Sequence, residues 1–198
     1  MRYLSFDVGV KNLGYCVIEV WNDGEGKRNV EKWGVLDISV EGKTKPSISE
    51  ITMRILSVLR DNFGDDIFDY VLIENQPCMK NPVMKTVQII IFTYFHNLKL
   101  NEFDSVGNIC MVSAVSKLKM GEYLEKKGDD MIECENSEKG YKRAKKLSIL
   151  YTKHIIANSD EMRIRFEEDC LKSFYENKKQ DDMSDSLLQA LIFHEKNK

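Results

Sequence analysis

The sequence predicts a mixed α/β fold, a five-stranded sheet flanked by helices. Three observations carry this. Apolar runs at 2–7, 69–74 and 106–113 have strand length and end on acidic or polar residues. Runs at 15–21 and 30–38, joined by Asn22-Asp23-Gly24-Glu25-Gly26, read as a hairpin with asparagine and glycine turn chemistry. The stretches between and after these runs carry apolar residues at helical spacing. The 198 residues suffice for one domain with a full core, expected over 1–198. No internal repeat and no proline- or serine-rich linker divides them.

In order, Tyr3-Leu4-Ser5-Phe6 builds the first strand and Asp7 ends it. Gly9 to Gly14 reads as a turn whose glycines permit positive φ and a tight hairpin. With 15–21 and 30–38, three antiparallel strands open the chain. Pro46 and Ser47 precede a helix over 48–63, whose face is Ile51, Ile55, Val58, Leu59 and Asn62, and Gly64 stops it. The run 69–74 is almost wholly apolar, as a central strand covered on both faces would be. Pro82 starts a second helix running to about Leu98. After the fifth strand, 106–113, helical patterns cover 115–127, 141–157, 160–177 and 182–196, with 128–140 as a surface loop.

Hydrophobic content of 42% with 31% charged residues fits a soluble globular chain. The most apolar stretch, 87–95, falls short of the roughly 18 residues that a membrane span needs, so no membrane association is expected. The chain opens directly on a strand pattern, with no signal peptide or arginine-rich presequence, which predicts an intracellular, non-secreted protein. Five cysteines, odd in number and without a CxxC pair, speak against structural zinc and fit a reducing compartment. A net charge of −3 argues against a polyanion partner, but the charge is segregated. Lys139, Lys142, Arg143, Lys145, Lys146 and Lys153 form an acid-free stretch, and Lys117, Lys119, Lys126 and Lys127 form a second cluster. Such stretches can bind a polyanion; a solvated helix face accounts for the same run.

The acids carry the chemistry. Asp7-Val8-Gly9 with Gly14 gives D-x-G-x(4)-G, which a hairpin turn with an acidic flank also explains and which actin- and hexokinase-like phosphate loops share. Ile73-Glu74-Asn75-Gln76-Pro77 ends a central strand on a glutamate beside two amides, where a strand-end salt bridge is the plain alternative. Asp181-Asp182-Met183-Ser184-Asp185 opens the last helix; Asp182 and Asp185 share a face, and helix capping would use them too. Lys178-Lys179 before them could meet a phosphate or cap the preceding helix. A carboxylate at a buried strand end is costly unless it is paired or binds a cation. Two such ends plus an acidic helix start imply one shared divalent-cation site, of the kind that prepares water to attack a phosphodiester. His96, His154 and His194 have no ligand spacing, and the Walker and serine-elbow motifs are absent. Met79, Met84, Val83, Val87, Ile90, Ile91, Phe92 and Phe95 make the second helix unusually apolar, as a core helix or a dimer surface would be.

The order Asp7, Glu74, Asp182-x-x-Asp185 resembles the Holliday junction resolvases of the RuvC superfamily, which have the RNase H-like fold. The poxvirus branch is the nearest match. It is carried by 4–14, 73–77, 141–147 and 178–187, and the yeast mitochondrial resolvases carry a similar Lys-Lys-Asp-Asp ending. The resemblance implies a dimeric endonuclease that cuts four-way DNA junctions symmetrically with Mg²⁺ or Mn²⁺, two ions per site. It makes Asp7, Glu74, Asp182 and Asp185 the metal ligands. It also implies a catalytic lysine, for which Lys117 matches best and Lys119 is close. Lys119, Lys142, Arg143, Lys145 and Lys146 would contact DNA, and the second helix the partner copy. A viral relative would act at a cytoplasmic replication site. The chain departs from the poxvirus pattern in the extra length at 128–140 and 160–177 and in its acidic balance. The rivals are another RNase H-like nuclease acting on hybrids or flaps, an actin-like ATPase, and a non-catalytic DNA-binding scaffold.

Overall fold

A computed structural model describes residues 1–21, 23–79, 81–101, 105–126 and 140–197. Its sheet comprises β1 (Arg2–Asp7), β2 (Asn12–Val20), β3 (Arg28–Asp37), β4 (Phe68–Asn75), β5 (Val106–Ser113) and β6 (Ile164–Phe166). The strand order is β5-β4-β1-β2-β3-β6. β1, β2 and β3 pair antiparallel, while β4 pairs parallel with both β1 and β5. β1 is therefore central, which is why Tyr3, Leu4, Ser5 and Phe6 are all buried.

Strand alternation decides where the acids point. Leu4 and Phe6 of β1, with Val71 and Ile73 of β4, pack beneath α1 (Ile48–Phe63) and α2 (Pro82–Asn101). The intervening Tyr3 and Leu72 belong to the opposite core, under α4 (Tyr141–Ala157), α5 (Glu168–Glu176) and α6 (Gln180–Lys196). Asp7 and Glu74 continue that second register. They leave the sheet on the face that α6 covers. α6 buries ten residues, among them Met183, Leu187, Leu188 and Leu191, so its position is set by core packing. α1 begins with a capping box, in which Ser47 N–H donates to Glu50 Oε2 at 2.9 Å and Ser47 Oγ accepts from Glu50 N–H at 3.3 Å.

The mixed α/β fold stands, with corrections. The sheet has six strands rather than five. The segment 160–177, expected as one helix, divides into β6 and α5 after a turn in which Arg163 takes φ 55°. Three residues are too few to carry a strand pattern; β6 exists because the edge of β3 offers it parallel pairing. The expected helix 115–127 is a 3₁₀ helix, Ser116–Lys119, followed by α3 (Met120–Lys126). The glycines between Asp7 and Tyr15 do not use positive φ. Instead β2 starts at Asn12 and Gly14 lies inside it, opposite Asp7. The expected loop 128–140 falls outside the described residues except for Gly140, which caps α4 with φ 65°. Among the described residues, no helix is long and apolar enough to cross a membrane.

Candidate active site

Three elements bring the acids together, and polar contacts lock each in place. Gln189, on the same face of α6 as Asp182 and Asp185, donates from Nε2 to Ser5 Oγ at 3.0 Å and to the Phe6 carbonyl at 3.2 Å. Trp33 Nε1 of β3 donates to the Met183 carbonyl at 2.8 Å. The N-terminal half of α6 thus rests on β1, β2 and β3. Gly14 makes this approach possible: a β-carbon there would lie 2.9 Å from the Asp182 carbonyl carbon and closer still to its oxygen. Beyond β4, the Gln76 N–H donates to Oε1 of the fully buried Gln88 at 2.8 Å. Lys85 Nζ reaches Gln88 Oε1 at 3.1 Å and Asn75 Oδ1 at 3.2 Å. α2 therefore holds the loop that follows Glu74.

The result is a cleft of about 310 Å³ whose lining includes Asp7, Glu74, Asp182, Asp185, Lys117 and Lys145. Lys117 reaches in from the 3₁₀ helix. Its Nζ pairs with Asp185 Oδ2 and stands 3.4 Å from Asp7 Oδ1 and 3.6 Å from Glu74 Oε1. Lys119 is exposed and lies in a separate groove beside Glu122 and Glu195. Lys145 pairs with Asp181, next to Asp182. Lys142, Arg143 and Lys146 lie on the exposed side of α4, while Lys139 falls outside the described residues. A larger cavity of about 560 Å³ sits at the β3–β6 edge, lined by Trp21, Arg163 and Phe166 among others. It has no carboxylate cluster, so we place the chemistry in the smaller cleft.

Four carboxylates and four lysines, Lys11, Lys117, Lys145 and Lys179, line the cleft. Burial pushes the Asp7 pKa well above the ordinary carboxylate value and Glu74 adds to this, while Lys117 opposes it. Burial and Asp7 likewise raise Asp185 against Lys117. Asp182 rises to about 6 through burial, Asp181 and Asp7. Burial disfavours the charged form of Lys117, but Asp7, Asp185 and Glu74 outweigh it and raise its pKa. Asp185 Oδ1 is buried without a hydrogen-bond partner. Among the described residues, no three acid or imidazole side chains are arranged to hold an ion as they stand. The Lys117 ammonium occupies the space between three of the carboxylates. Four converging carboxylates, three of them held by Lys117 and Asp182 outside its ion pairs, are a hard-oxygen donor set that fits Mg²⁺ or Mn²⁺.

A pH dependence follows. The Asp182 carboxyl binds its proton more tightly folded than unfolded, so charging it costs stability as pH rises from the ordinary 3.8 through about 6. Without metal, Asp182→Asn and the parent should melt alike near pH 4, and the variant should melt higher by pH 7. Parallel Tm profiles would show that the shift is absent.

Several positioning residues escaped the sequence. Gln88, Lys145 with Asp181, and the close approach at Gly14 depend on which elements pack together. Gln189 did leave a signal: Asp182, Asp185 and Gln189 form a polar stripe at helical spacing on an otherwise buried helix.

A scan against protein families matches none. Over 144 residues the chain is 34% identical to an uncharacterised protein of Acanthamoeba polyphaga mimivirus, covering 71% of this chain and 32% of that one. It thus spans about a third of that relative's length. Solved structures match over nearly the whole chain. The yeast mitochondrial Holliday junction resolvase Ydc2 aligns with TM-score 0.66 at 18% identity, covering 99% of this chain and 83% of that one. The Fowlpox virus resolvase, solved with its Holliday junction DNA, aligns with TM-score 0.59 at 19% identity over 100% and 99% of the two chains. Thermus thermophilus RuvC aligns with TM-score 0.54 at 13% identity over 100% and 97%. A six-stranded mixed sheet with its acids gathered under the last helix is, in this chain, the RuvC-like fold that these resolvases share.

Proposed function

We propose that the chain is a metal-dependent, structure-selective endonuclease that cuts four-way DNA junctions by paired symmetric nicks, in recombination or in resolving viral replication concatemers. The observation that carries this reading is the cleft itself: Asp7, Glu74, Asp182 and Asp185 around Lys117 on a RuvC-like fold. The four carboxylates would hold Mg²⁺ or Mn²⁺, two ions per site. Bound there, the ions would lower the pKa of a water and stabilise the leaving 3′-oxygen. Lys117 supplies an ammonium beside the scissile phosphate, where it offsets the charge that grows on the phosphoryl oxygens. Gln189, Gly14 and Gln88 keep the acid-bearing elements in register, since small displacements of reacting groups are expensive in rate. The wild-type chain should cut a labelled four-way junction only when Mg²⁺ or Mn²⁺ is present, and should leave duplex and RNA–DNA hybrid of equal length intact. Equal cleavage of the hybrid would favour the rival nuclease.

A homodimer formed through α2 gives the two sites that paired cuts require. Much of this helix's apolar excess faces the core, through Val87, Ile91 and Phe95, but Val83 and Ile89 remain exposed for a partner copy. Sedimentation at micromolar concentration should give a particle near twice 23.0 kDa. A strict monomer that makes paired cuts would exclude this interface. In a virus-infected cell such an enzyme would work at the cytoplasmic replication site.

The exposed side of α4 is the proposed backbone contact, with Lys119 adding to it. Replacing Lys142, Arg143, Lys145 and Lys146 with Gln should weaken binding to all junction sequences alike. Each lost phosphate contact lowers the log–log salt slope by about 0.9. Lys145, already paired with Asp181, should contribute least. An unchanged slope would make this side of α4 a solvated surface.

A further inference from the structure

We infer that Lys117 is a resident counter-cation: its ammonium holds Asp7, Glu74 and Asp185 together when no divalent ion is bound, and an arriving ion displaces it towards the phosphate. The inference rests on reading the cleft as a divalent-cation site. Three features support it. Nζ bridges carboxylates from three separate elements, the ends of β1 and β4 and the N-terminal part of α6, pairing with Asp185 and lying 3.4 Å and 3.6 Å from the other two. It stands among all three at once, at the point where their carboxylates converge. Asp182 and the second oxygen of Asp185 remain outside its ion pairs.

The exchange follows from electrostatics and from the side chain itself. An ammonium and a divalent cation repel each other strongly at the few ångströms that separate these carboxylates. A lysine, unlike a rigid planar guanidinium, carries a compact charge on a four-carbon stem and can swing aside without moving its backbone. Lys117 and Lys145 line the same cleft, so the displaced ammonium remains inside it, where a phosphate would enter. Ion and phosphate then favour each other through one side chain: the ion frees the lysine that the phosphate uses, and by linkage the phosphate strengthens ion binding. The same contact lessens, without abolishing, the repulsion among the acids in the empty protein.

The test uses the full chain without DNA. Mg²⁺ is titrated calorimetrically into wild type, Lys117→Met and, as a control, Lys119→Met. Lys117→Met should bind Mg²⁺ more tightly by about tenfold or more, because no internal cation has to leave. Lys119→Met should bind as wild type does. Equal or weaker binding by Lys117→Met, or no binding by any of the three, would overturn the inference. Loss of a nearby charge could by itself tighten binding, and Lys117→Met could fail to fold, so wild type supplies a second readout. Its protected lysine ammonium resonance, assigned by its loss in Lys117→Arg, should collapse into fast solvent exchange as Mg²⁺ is added. A resonance that persists at saturating Mg²⁺ would show that the lysine stays in place, which also overturns the inference. Failure of the nuclease reading looks different: the exchange occurs but the four-way junction stays uncut.

Discussion

Asp7→Asn, Glu74→Gln, Asp182→Asn and Asp185→Asn should each lower junction cleavage by on the order of a thousandfold or more while leaving junction binding intact. Each removes one carboxylate of the proposed metal site and keeps the shape of the side chain. Stability should move the other way for Asp7. Burial and Glu74 already hold its pKa high, so the neutral amide relieves a repulsion that the metal-free protein carries. Asp7→Asn should therefore melt no lower than wild type in chelator. A protein that keeps its stability while losing its activity is the expected mark of a residue retained for function. Full cleavage by Glu74→Gln or Asp182→Asn would remove that residue from the site, and a large fall in Tm for Asp7→Asn would make its role structural.

Gly14→Ala should damage both stability and cleavage. The added β-carbon would meet the Asp182 backbone, and a helix turn held by ten buried residues cannot yield cheaply. We expect about 1–3 kcal/mol of lost stability. Cleavage should fall by about a hundredfold, because Asp182 and Asp185 shift together. Gly34→Ala is the control. Its nearest neighbour is the Tyr15 side chain at 3.2 Å, which can move. Wild-type Tm and cleavage in Gly14→Ala would show that β2 and α6 are not in this contact in solution.

Those two glycines mark the limit of what the sequence could say. Asp7 and Glu74 were legible because an acid closing an apolar run is visible without any partner, and the fold class followed from strand-length runs separated by helical patterns. Asp182 and Asp185 were legible through their three-residue spacing ahead of an apolar helix. Lys117 and Lys119 could not be separated, since a 3₁₀ helix turns neighbouring side chains differently from the helix expected there, and only the fold sends Lys117 inward. Gly14 was read as a turn residue because its true constraint comes from a helix far away in the chain. β6 was missed for the same reason: pairing along the β3 edge leaves no trace in three residues. The Lys145–Asp181 pair likewise arises only once α4 packs beside α6.

The bond between Gln189 and Ser5 spans 184 residues, so β1 meets α6 only after all the chain between them has been made. A ribosome adds roughly 5–20 residues per second, and closing so long a loop is intrinsically slow. For many seconds, then, the nascent chain carries Asp7 and Glu74 without Asp182 or Asp185. During that interval the Tyr3, Ile18 and Trp33 side of the sheet has no α6 to cover it. Translation order thereby works as a safety catch: the cleft cannot assemble until the helix that buries the sheet has also arrived.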